Sequence, residues 1–461
     1  MSEQTENQVN GSFRDPSGFV FSRSGTLYRQ VNACYSQNYD LLMDSGLYAR
    51  LVKDKLLVAH EEIEDHSERK EQVYRVLKPT RVNFISYPFE WCFGQLKDAA
   101  LATLGIQQRA MEYGMVLKDA SAYNIQFVEG NPLLIDTLSF DRYEEGHPWI
   151  AYKQFCQHFL APLTLMKYCD VRLGQMLRTH LDGIPLDLTS SLLPRKTWLS
   201  FPLLTNIHLH ARSQIKYASK SRGTRVNGMS RRALMGLIDT LLSAVKRLSW
   251  QIKNSTWADY YENTNYEIQA LEQKEKLVAD FLDLIKPKLV WDLGANTGRF
   301  SRIAARRGIN TIAFDFDPAA VEINYRECRK NSDTRVLPLV IDLTNPSPGI
   351  GWEHRERMSL IDRGPADCAM ALALIHHLAI GNNLPLGRIA RFLRSICSTL
   401  IIEFVPKEDS QVQRLLRSRE DIFPQYTPSG FERSFEPFFS IEKKAGISDS
   451  SRSLYYMKAR P

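Results

Sequence analysis

A glycine-rich turn beside an acidic residue is the first feature of the sequence that could carry chemistry. Asp292 ends an apolar run in LVWDLGANTGRF, and Gly294 and Gly298 flank a small polar loop directly after it. Two further apolar runs end in acids, Asp315 in TIAFDFD and Asp342 in VLPLVIDL. Such a turn can hold a dinucleotide or a nucleotide phosphate, and it can also hold the methyl donor S-adenosylmethionine. The residues around the glycines decide between these three ligands.

The ligand that suits this turn best carries no phosphate. A P-loop requires a lysine directly after its second glycine, and none follows here. The dinucleotide fingerprint requires G-x-G-x-x-G, but Asn296 occupies the place of the middle glycine. A carboxylate such as Asp292 repels a pyrophosphate and attracts the sulfonium and ammonium groups of S-adenosylmethionine. We therefore expect this cofactor, with Asp315 accepting hydrogen bonds from its ribose hydroxyls and Asp342 meeting its adenine edge.

Candidates for proton transfer follow the next two apolar runs. DCAMALALIHHL leads into His376 and His377, and STLIIEFVP contains Glu403 near its end. An imidazole titrates near neutral pH and could take a proton from a methyl acceptor, and a carboxylate at the same edge could do the same. Adjacent residues point in different directions, so at most one of the two histidines is expected to face the ligand. In the alternative interpretation the pair merely caps the strand.

A second set of chemically active side chains lies in MVLKDASAYNIQFVEGNPLLIDTLSF. Asp119 is followed five residues later by Asn124, and Asp136 comes after a short hairpin. A kinase presents Asp, Asn and Asp in this order as its catalytic base and its two metal ligands. If this site is active, Asp119 is the base, and Asn124 and Asp136 bind the metal. In the alternative interpretation these residues only set turns.

The elements that must position the C-terminal acids are strands of a parallel sheet. Five nearly continuous apolar runs alternate with helical segments, as in a parallel sheet covered on both faces. Ligands of such sheets bind at the carboxyl ends of the strands, where these polar residues lie. The last segment, FFSIEKKAGISDSSRSLYYMKAR, predicts a hairpin that adds one antiparallel strand. Three tyrosines before the first strand either cover the ligand as a lid or pack in a helix: Tyr260, Tyr261 and Tyr266.

This order of motifs resembles the class I S-adenosylmethionine-dependent methyltransferases, whose sheet is Rossmann-like. The resemblance covers residues 257–461 and rests on D-x-G-x-x-x-G, the acids after the second and third strands, and the terminal hairpin. Across the whole chain, WADYY, LIIEFVP and LKDASAYNIQF resemble a bacterial family of methyltransferases related to rhizobial host-specific nodulation proteins. The resemblance implies that Gly294 and Gly298 contact the methionine part of the cofactor, Asp315 the ribose and Asp342 the adenine.

Residues 15–180 resemble a degenerate protein-kinase-like fold. The segment NFISYPFEW is similar to the hinge of that fold, and a helix precedes the Asp119 loop as it does there. The departures lie at functional positions, because Leu117-Lys118 replaces the His-Arg pair and Thr137-Leu138 replaces Phe-Gly. The glycine-rich loop is reduced to Gly25, and Arg29 stands in place of the lysine, which it does not replace chemically. We therefore do not expect ATP and magnesium as cofactors.

A chain of 461 residues predicts two or three domains. We expect a disordered tail over residues 1–14 and an α+β domain, kinase-like or substrate-recognising, over residues 15–200. A basic, partly helical linker over residues 201–256 precedes the α/β methyltransferase domain of residues 257–461.

Composition predicts a globular protein of the cytoplasm. The N-terminus has no signal-peptide pattern, no apolar run is long enough to span a bilayer, and the seven cysteines show no paired spacing. No histidine–cysteine spacing suggests structural zinc, and no metal is predicted. The net charge of +7 is concentrated between residues 211 and 232, in a run that favours a solvated linker. Its basic residues are Arg212, Lys216, Lys220, Arg222, Arg225, Arg231 and Arg232.

Three hypotheses follow from the sequence. The first is a methyltransferase whose N-terminal domain selects the substrate. The second is a bifunctional enzyme with a real phosphotransfer site, and the third is a non-catalytic nucleoside-binding protein in which both sites are relics. No motif specifies the methyl acceptor. The absence of N/D-P-P-Y/F and of a Pro-Cys pair leaves nucleic acid unsupported as an acceptor.

Overall fold

The computed structural model describes residues 7–64, 72–212, 228–252, 268–417 and 419–461. The chain divides into two compact units. Unit 1 comprises residues 1–251 with residues 350–357, and unit 2 comprises residues 252–349 and 358–461. Within the described ranges, every helix is too short or too polar to cross a lipid bilayer.

Unit 1 begins with a five-stranded antiparallel sheet in the order β1-β2-β3-β5-β4. Its strands are β1 (Asn7–Gln8), β2 (Gly18–Arg23), β3 (Thr26–Asn32), β4 (His60–Ile63) and β5 (Val73–Pro79). Helices α1 (Ser36–Asp44) and α2 (Leu47–Lys53) connect β3 to β4. Ser24 and Gly25 both have positive φ, 50° and 77°, and form the two-residue turn between β2 and β3. Gly25, the residue to which the predicted glycine-rich loop is reduced, therefore lies in a two-residue hairpin turn.

The rest of unit 1 is mostly helical. The 20-residue helix α3 (Phe93–Glu112) leads into β6 (Met115–Leu117), which pairs with β9 (Phe140–Arg142). Between them lies the hairpin of β7 (Ile125–Val128) and β8 (Asn131–Leu134). Further helices are α4 (Tyr152–Phe155), α5 (Ala161–Tyr168), α6 (Met176–Thr179), α7 (Leu186–Leu192), α8 (Phe201–Leu203) and α9 (Arg231–Arg247). This succession of an antiparallel sheet and a helical part is the α+β architecture that the sequence predicted.

Two of the predicted boundaries differ from the structure. Ordered structure within the predicted tail, residues 1–14, begins at Asn7, because β1 pairs with β2 there. Of the predicted linker, residues 201–256, the described helices α8 and α9 belong to unit 1. Helix α9 packs against α3 and buries an apolar face that includes Leu234, Ile238 and Leu241. The linker prediction was based on the basic residues near the start of α9 and did not take this apolar face into account.

Unit 2 contains a seven-stranded sheet in the order β12-β11-β10-β13-β14-β16-β15. Its strands are β10 (Leu289–Leu293), β11 (Asn310–Asp315), β12 (Val336–Val340), β13 (Ala366–Ala371), β14 (Cys397–Phe404), β15 (Phe439–Gly446) and β16 (Ser453–Ala459). Strands β10 to β14 are parallel, and β16 is antiparallel to both β14 and β15. One antiparallel strand in an otherwise parallel sheet confirms the predicted Rossmann-like class I methyltransferase fold.

The five parallel strands β10 to β14 are buried almost throughout, and helices pack against the sheet. The helices are α10 (Ile268–Ile285), α11 (Arg299–Ala305), α12 (Pro318–Asn331), α13 (Leu386–Ile396), α14 (Ser410–Leu416) and α15 (Pro428–Phe435). One core cluster joins Val278 and Phe281 of α10 to Val290 of β10 and Phe300 of α11. Helices α10 and α11 are thereby fixed beside the carboxyl end of β10.

Candidate functional site

The strands of unit 2 open at their carboxyl ends into a cavity of about 330 Å³. This volume lies in the range of small-molecule sites. The predicted cofactor residues that line the cavity are Asp292, Gly294, Asn296, Asp315 and Asp342. The structure thus gathers these five residues at one sheet edge, where ligands of α/β sheets bind.

The turn after β10 depends on the left-handed backbone of its two glycines. Gly294 has a φ of 75° and lines the cavity, and a Cβ there would lie 3.3 Å from Leu374 Cδ1. Gly298 has a φ of 83° at the start of α11, and a Cβ there would lie 2.3 Å from Asn324 Oδ1. Gly298 is absent from the described cavity lining. The structure therefore separates the two glycines, one at the cavity and one packed behind it.

Asp315 holds the turn in place. Its two carboxylate oxygens accept hydrogen bonds from the backbone N–H groups of Asn296 at 2.8 Å and Asp317 at 2.9 Å. Burial raises the pKa of Asp315 to about 6. Each carboxylate oxygen has two lone pairs, so these backbone bonds leave Asp315 able to accept from a ligand's hydroxyl groups as well.

Asp292 and Asp342 differ in their environments. Asp292 is 2% exposed and accepts a hydrogen bond from Ser301 Oγ at 2.6 Å. Burial raises the pKa of Asp292 to about 7. Asp342 lies exposed at the rim, where its Oδ1 accepts from the backbone N–H of Thr344 at 2.8 Å and from its hydroxyl at 2.7 Å. The cavity thus has one carboxyl in its interior wall and one beside solvent.

The two adjacent histidines differ in their position relative to the cavity. His377 lines it, whereas His376 is fully buried, and neither His376 ring nitrogen has a hydrogen-bond partner among the described residues. The ring centroids lie 4.1 Å apart. Burial lowers the pKa of His377 to about 4 and that of His376 well below its usual range. Both imidazoles are therefore neutral at pH 7, and His377 is a weaker base than a free histidine.

Glu403 is absent from the described lining of the cavity. It belongs to a buried network of charged side chains. Its Oε2 lies 2.6 Å from Lys274 Nζ and accepts the backbone N–H of Ala373 at 2.8 Å. Its Oε1 lies 3.3 Å from Arg452 Nη1, and Arg452 Nε lies 2.7 Å from Asp409 Oδ2. A carboxylate held by two cations is a poor proton acceptor. This arrangement suits a positioning role better than the base role that the sequence suggested.

Sequence reasoning missed Lys274, which lines the cavity from α10 and is 2% exposed. A signal for it is present in the helical periodicity. Lys274 lies three residues after Leu271 and four before Val278, on the stripe that α10 buries. A lysine at an apolar position of an amphipathic helix was therefore recognisable from the sequence.

The structure also brings together the Asp-Asn-Asp set of unit 1. Asp119 accepts the backbone N–H of Ser121 at 2.9 Å and is hydrogen-bonded by Asn124, while burial raises the pKa of Asp119. Asn124 Nδ2 lies 3.5 Å from Ser139 Oγ, which donates to Asp136 at 2.8 Å. These contacts link the three residues in one small network.

The guanidinium group of Arg29 lies beside this network. Arg29 Nη2 lies 2.9 Å from Asp136 Oδ1, and both side chains are mostly buried. In a kinase the corresponding aspartate binds magnesium. Among the described residues, no group of three or more His, Cys, Asp or Glu side chains has the spacing of a metal site. Arg29 thus places a positive charge beside Asp136.

Two features of the sequence fall partly or wholly outside the described residues. Tyr260, Tyr261 and Tyr266 lie outside them. Four members of the basic run are also outside: Lys216, Lys220, Arg222 and Arg225.

Comparisons with known proteins give one relative that matches along the whole chain. The sequence is 36% identical over 456 residues to the nodulation protein NoeA of Rhizobium meliloti (strain 1021), which covers 97% of this chain and 95% of that protein. No protein-family model matches the chain.

Solved structures similar to parts of the chain include two described as methyltransferases. The bifunctional kinase-methyltransferase WbdD is 18% identical with a TM-score of 0.30, and the match covers 41% of this chain and 39% of that one. The second is magnesium protoporphyrin IX methyltransferase (ChlM) of Synechocystis PCC 6803 with bound S-adenosylmethionine. It is 16% identical with a TM-score of 0.33, and the match covers 45% of this chain and 93% of that one.

Proposed function

The chain belongs to the family of the nodulation protein NoeA, and we propose that its unit 2 is an S-adenosylmethionine-dependent methyltransferase. The observation that carries this proposal is the set of three carboxylates, Asp292, Asp315 and Asp342, that line one cavity beside the Gly294 turn. Carboxylates at this position suit a nucleoside that carries positive charge and no phosphate.

The chemistry of the lining residues fits the cofactor. Asp315 accepts from the ribose hydroxyls while its backbone bonds hold the carboxylate still. Asp342 and the backbone after β12 meet the adenine edge at the rim. Gly294 lines the cavity without a side chain, so it leaves that space to the methionine part. The backbone N–H of Asn296 donates to Asp315, which joins the turn to the end of β11.

Methyl transfer is a direct displacement, and most of the catalytic work is alignment. S-adenosylmethionine supplies a methyl group on a cationic sulfur that leaves as a neutral thioether. Positioning two reactants can contribute roughly 7–11 kcal/mol to such a step. Leu372, Leu374 and Leu378 line the cavity and exclude water from the reacting centre. His377, neutral at pH 7, accepts a hydrogen bond from the hydroxyl or amine of the acceptor.

The direct test of methyl transfer uses labelled S-adenosylmethionine and a lysate of the source cell. We expect label to enter one acceptor fraction when the wild-type chain is added. The Asp315→Ala variant is expected to transfer little label, whereas Asp280→Ala, on the exposed face of α10, is expected to match the wild type. Tight cofactor binding without transfer to any fraction would instead support a non-catalytic binding protein.

A second candidate is phosphotransfer in unit 1, favoured by the contacts that link Asp119, Asn124 and Asp136. The Arg29–Asp136 ion pair opposes it, since it occupies the carboxylate that would bind magnesium. We therefore expect unit 1 to select the substrate. ATP with magnesium, added to the wild type and to Asp136→Asn, tests this expectation. ATP consumption that Asp136→Asn abolishes would restore the bifunctional hypothesis.

A further inference from the structure

Lys274 places a buried positive charge in the wall of the unit 2 cavity. Its ammonium group lies 4.7 Å from the ring centroid of Phe300, which also lines the cavity at the start of α11. Asp292 interacts with Lys274 electrostatically, and Glu403 holds the ammonium at 2.6 Å. Lys274 is therefore held in the cavity wall beside Phe300 and Asp292.

The charges around the cavity are unequally distributed. Of the described side chains that line it, Lys274 is the one lysine or arginine, while three are aspartates. The aspartates suit hydroxyl groups, a sulfonium and an ammonium, but they repel a ligand carboxylate. A ligand carboxylate in this cavity therefore has one cationic side chain to meet, and that side chain is Lys274.

We propose that Lys274 forms a carboxylate-binding subsite for the methionine end of the cofactor, with Glu403 as its positioning residue. This inference rests on the proposed function of unit 2. An ammonium group has three N–H donors, so it can hold Glu403 and a ligand carboxylate at the same time. The subsite fixes the amino-acid end of the cofactor while Asp315 fixes the ribose, and the reactive sulfur lies between these two points.

A purely structural role explains Lys274 less well. A buried ion pair is weak evidence of stabilisation, because two well-packed apolar side chains often serve as well. Glu403 also has a second cationic partner in Arg452 and a backbone donor in Ala373. The carboxylate would remain compensated without Lys274, so the position of this lysine in the cavity wall points to a ligand.

The experiment compares two ligands that differ only in the carboxylate, S-adenosylmethionine and decarboxylated S-adenosylmethionine. Their dissociation constants are measured by titration calorimetry on the full-length chain. We expect the wild type to bind the carboxylated form at least about tenfold more tightly, as the loss of a charge-assisted hydrogen bond predicts. In Lys274→Met this preference is expected to disappear, while the affinity for the decarboxylated form changes little.

Three further variants separate the subsite from the stability of the fold. Lys276→Met makes the same substitution on the exposed face of α10 and is expected to keep the wild-type preference. Lys274→Arg keeps the positive charge and is expected to retain part of the preference for the carboxylated ligand. The double variant Lys274→Met/Glu403→Gln removes both buried charges and replaces the single variant if Lys274→Met unfolds. We expect it to bind the two ligands with equal affinity.

The outcomes distinguish this inference from the proposed function. A wild type that binds both ligands equally, or a preference that persists in the Lys274 variants, overturns the subsite and leaves the methyltransferase proposal standing. A wild type that binds neither ligand contradicts the methyltransferase proposal itself.

Discussion

Asp292 is a carboxyl whose charge depends on the ligand. Burial raises its pKa to about 7, so about half of the free protein carries a protonated Asp292 near neutral pH. A bound sulfonium and ammonium favour the ionised form. Cofactor binding is therefore expected to release protons near pH 7, and affinity is expected to fall as the pH is lowered from 8 to 6.

Calorimetry in buffers of different ionisation enthalpy measures this proton release. Asp292→Asn is expected to abolish it, whereas Asp280→Asn on the exposed face of α10 is expected to leave it unchanged. Binding of the cofactor to the wild type without proton release between pH 6 and 8 would contradict this description of Asp292.

The same carboxyl also affects stability. The pKa of Asp292 in the folded chain lies above its value of about 3.9 in an unfolded chain, so the folded state binds more protons between these two values. At pH values below both pKa values Asp292 contributes no pH dependence. Its contribution to stability is lost as the pH rises from about 4 through about 7, and Asp292→Asn is expected to flatten this part of the stability profile.

Gly298 is expected to be the most sensitive glycine of the turn. An alanine there has an unfavourable left-handed backbone, which costs roughly 1–2 kcal/mol, and its Cβ would lie 2.3 Å from Asn324 Oδ1. Gly308 provides a matched control, because its φ is 77° and a Cβ would meet nothing within 4 Å. Gly298→Ala is expected to lower the thermal midpoint more than Gly308→Ala. Equal decreases would show that the contact with Asn324 relaxes without cost.

The loop after β13 depends on the ion network around Glu403. Ala373 has a φ of 50°, which is unfavourable for a residue with a side chain, and Glu403 accepts its N–H. Glu403→Gln would leave Lys274 and Arg452 buried without their shared carboxylate. Breaking a buried pair in this way costs roughly 3–5 kcal/mol.

Thermal unfolding of the full-length chain tests this cost. Glu403→Gln is expected to lower the midpoint clearly, whereas Glu442→Gln, exposed on β15, is expected to have little effect. A Glu403→Gln chain as stable as the wild type would show that the network contributes nothing to the packing of β13, β14 and α10.

The parallel strands of unit 2 were predictable because each is a nearly continuous apolar run. Four of the five, β10, β11, β12 and β14, also carry an acid at or near their carboxyl ends. The terminal hairpin was predictable as the source of the antiparallel strand. The helical periodicity of α10 could have identified Lys274 as a buried lysine. Its ion pair with Glu403 could not be predicted, because a contact between α10 and β14 leaves no local spacing in the sequence. Gly298 shows the same limit, because the contact with Asn324 is made by a residue 26 positions away.

Unit 1 was predictable in its arrangement but not in its boundaries. The loop residues Asp119, Asn124 and Asp136 lie in one short segment, so local spacing brings them together. The packing of α9 on α3 joins segments more than 100 residues apart, and its apolar face follows a basic run. Charge therefore suggested a linker where packing forms part of the unit.

The molecule as a whole combines one unit whose cavity suits a cationic nucleoside with one whose acidic loop is neutralised by an arginine. This pairing fits a methyltransferase with a substrate-selecting partner unit in the same chain. Activity then depends first on the acids along the carboxyl ends of β10, β11 and β12, since no methyl group can be transferred unless the nucleoside binds there.

Titration calorimetry of S-adenosylhomocysteine with the wild type and Asp315→Ala tests this dependence most directly. We expect saturable one-to-one binding by the wild type and a loss of about 1.5–3 kcal/mol of binding free energy, at least tenfold in affinity, in Asp315→Ala. The folded Asp280→Ala control is predicted to bind as the wild type does. Equal affinity of the wild type and Asp315→Ala, or no binding by a folded wild type, would contradict the account.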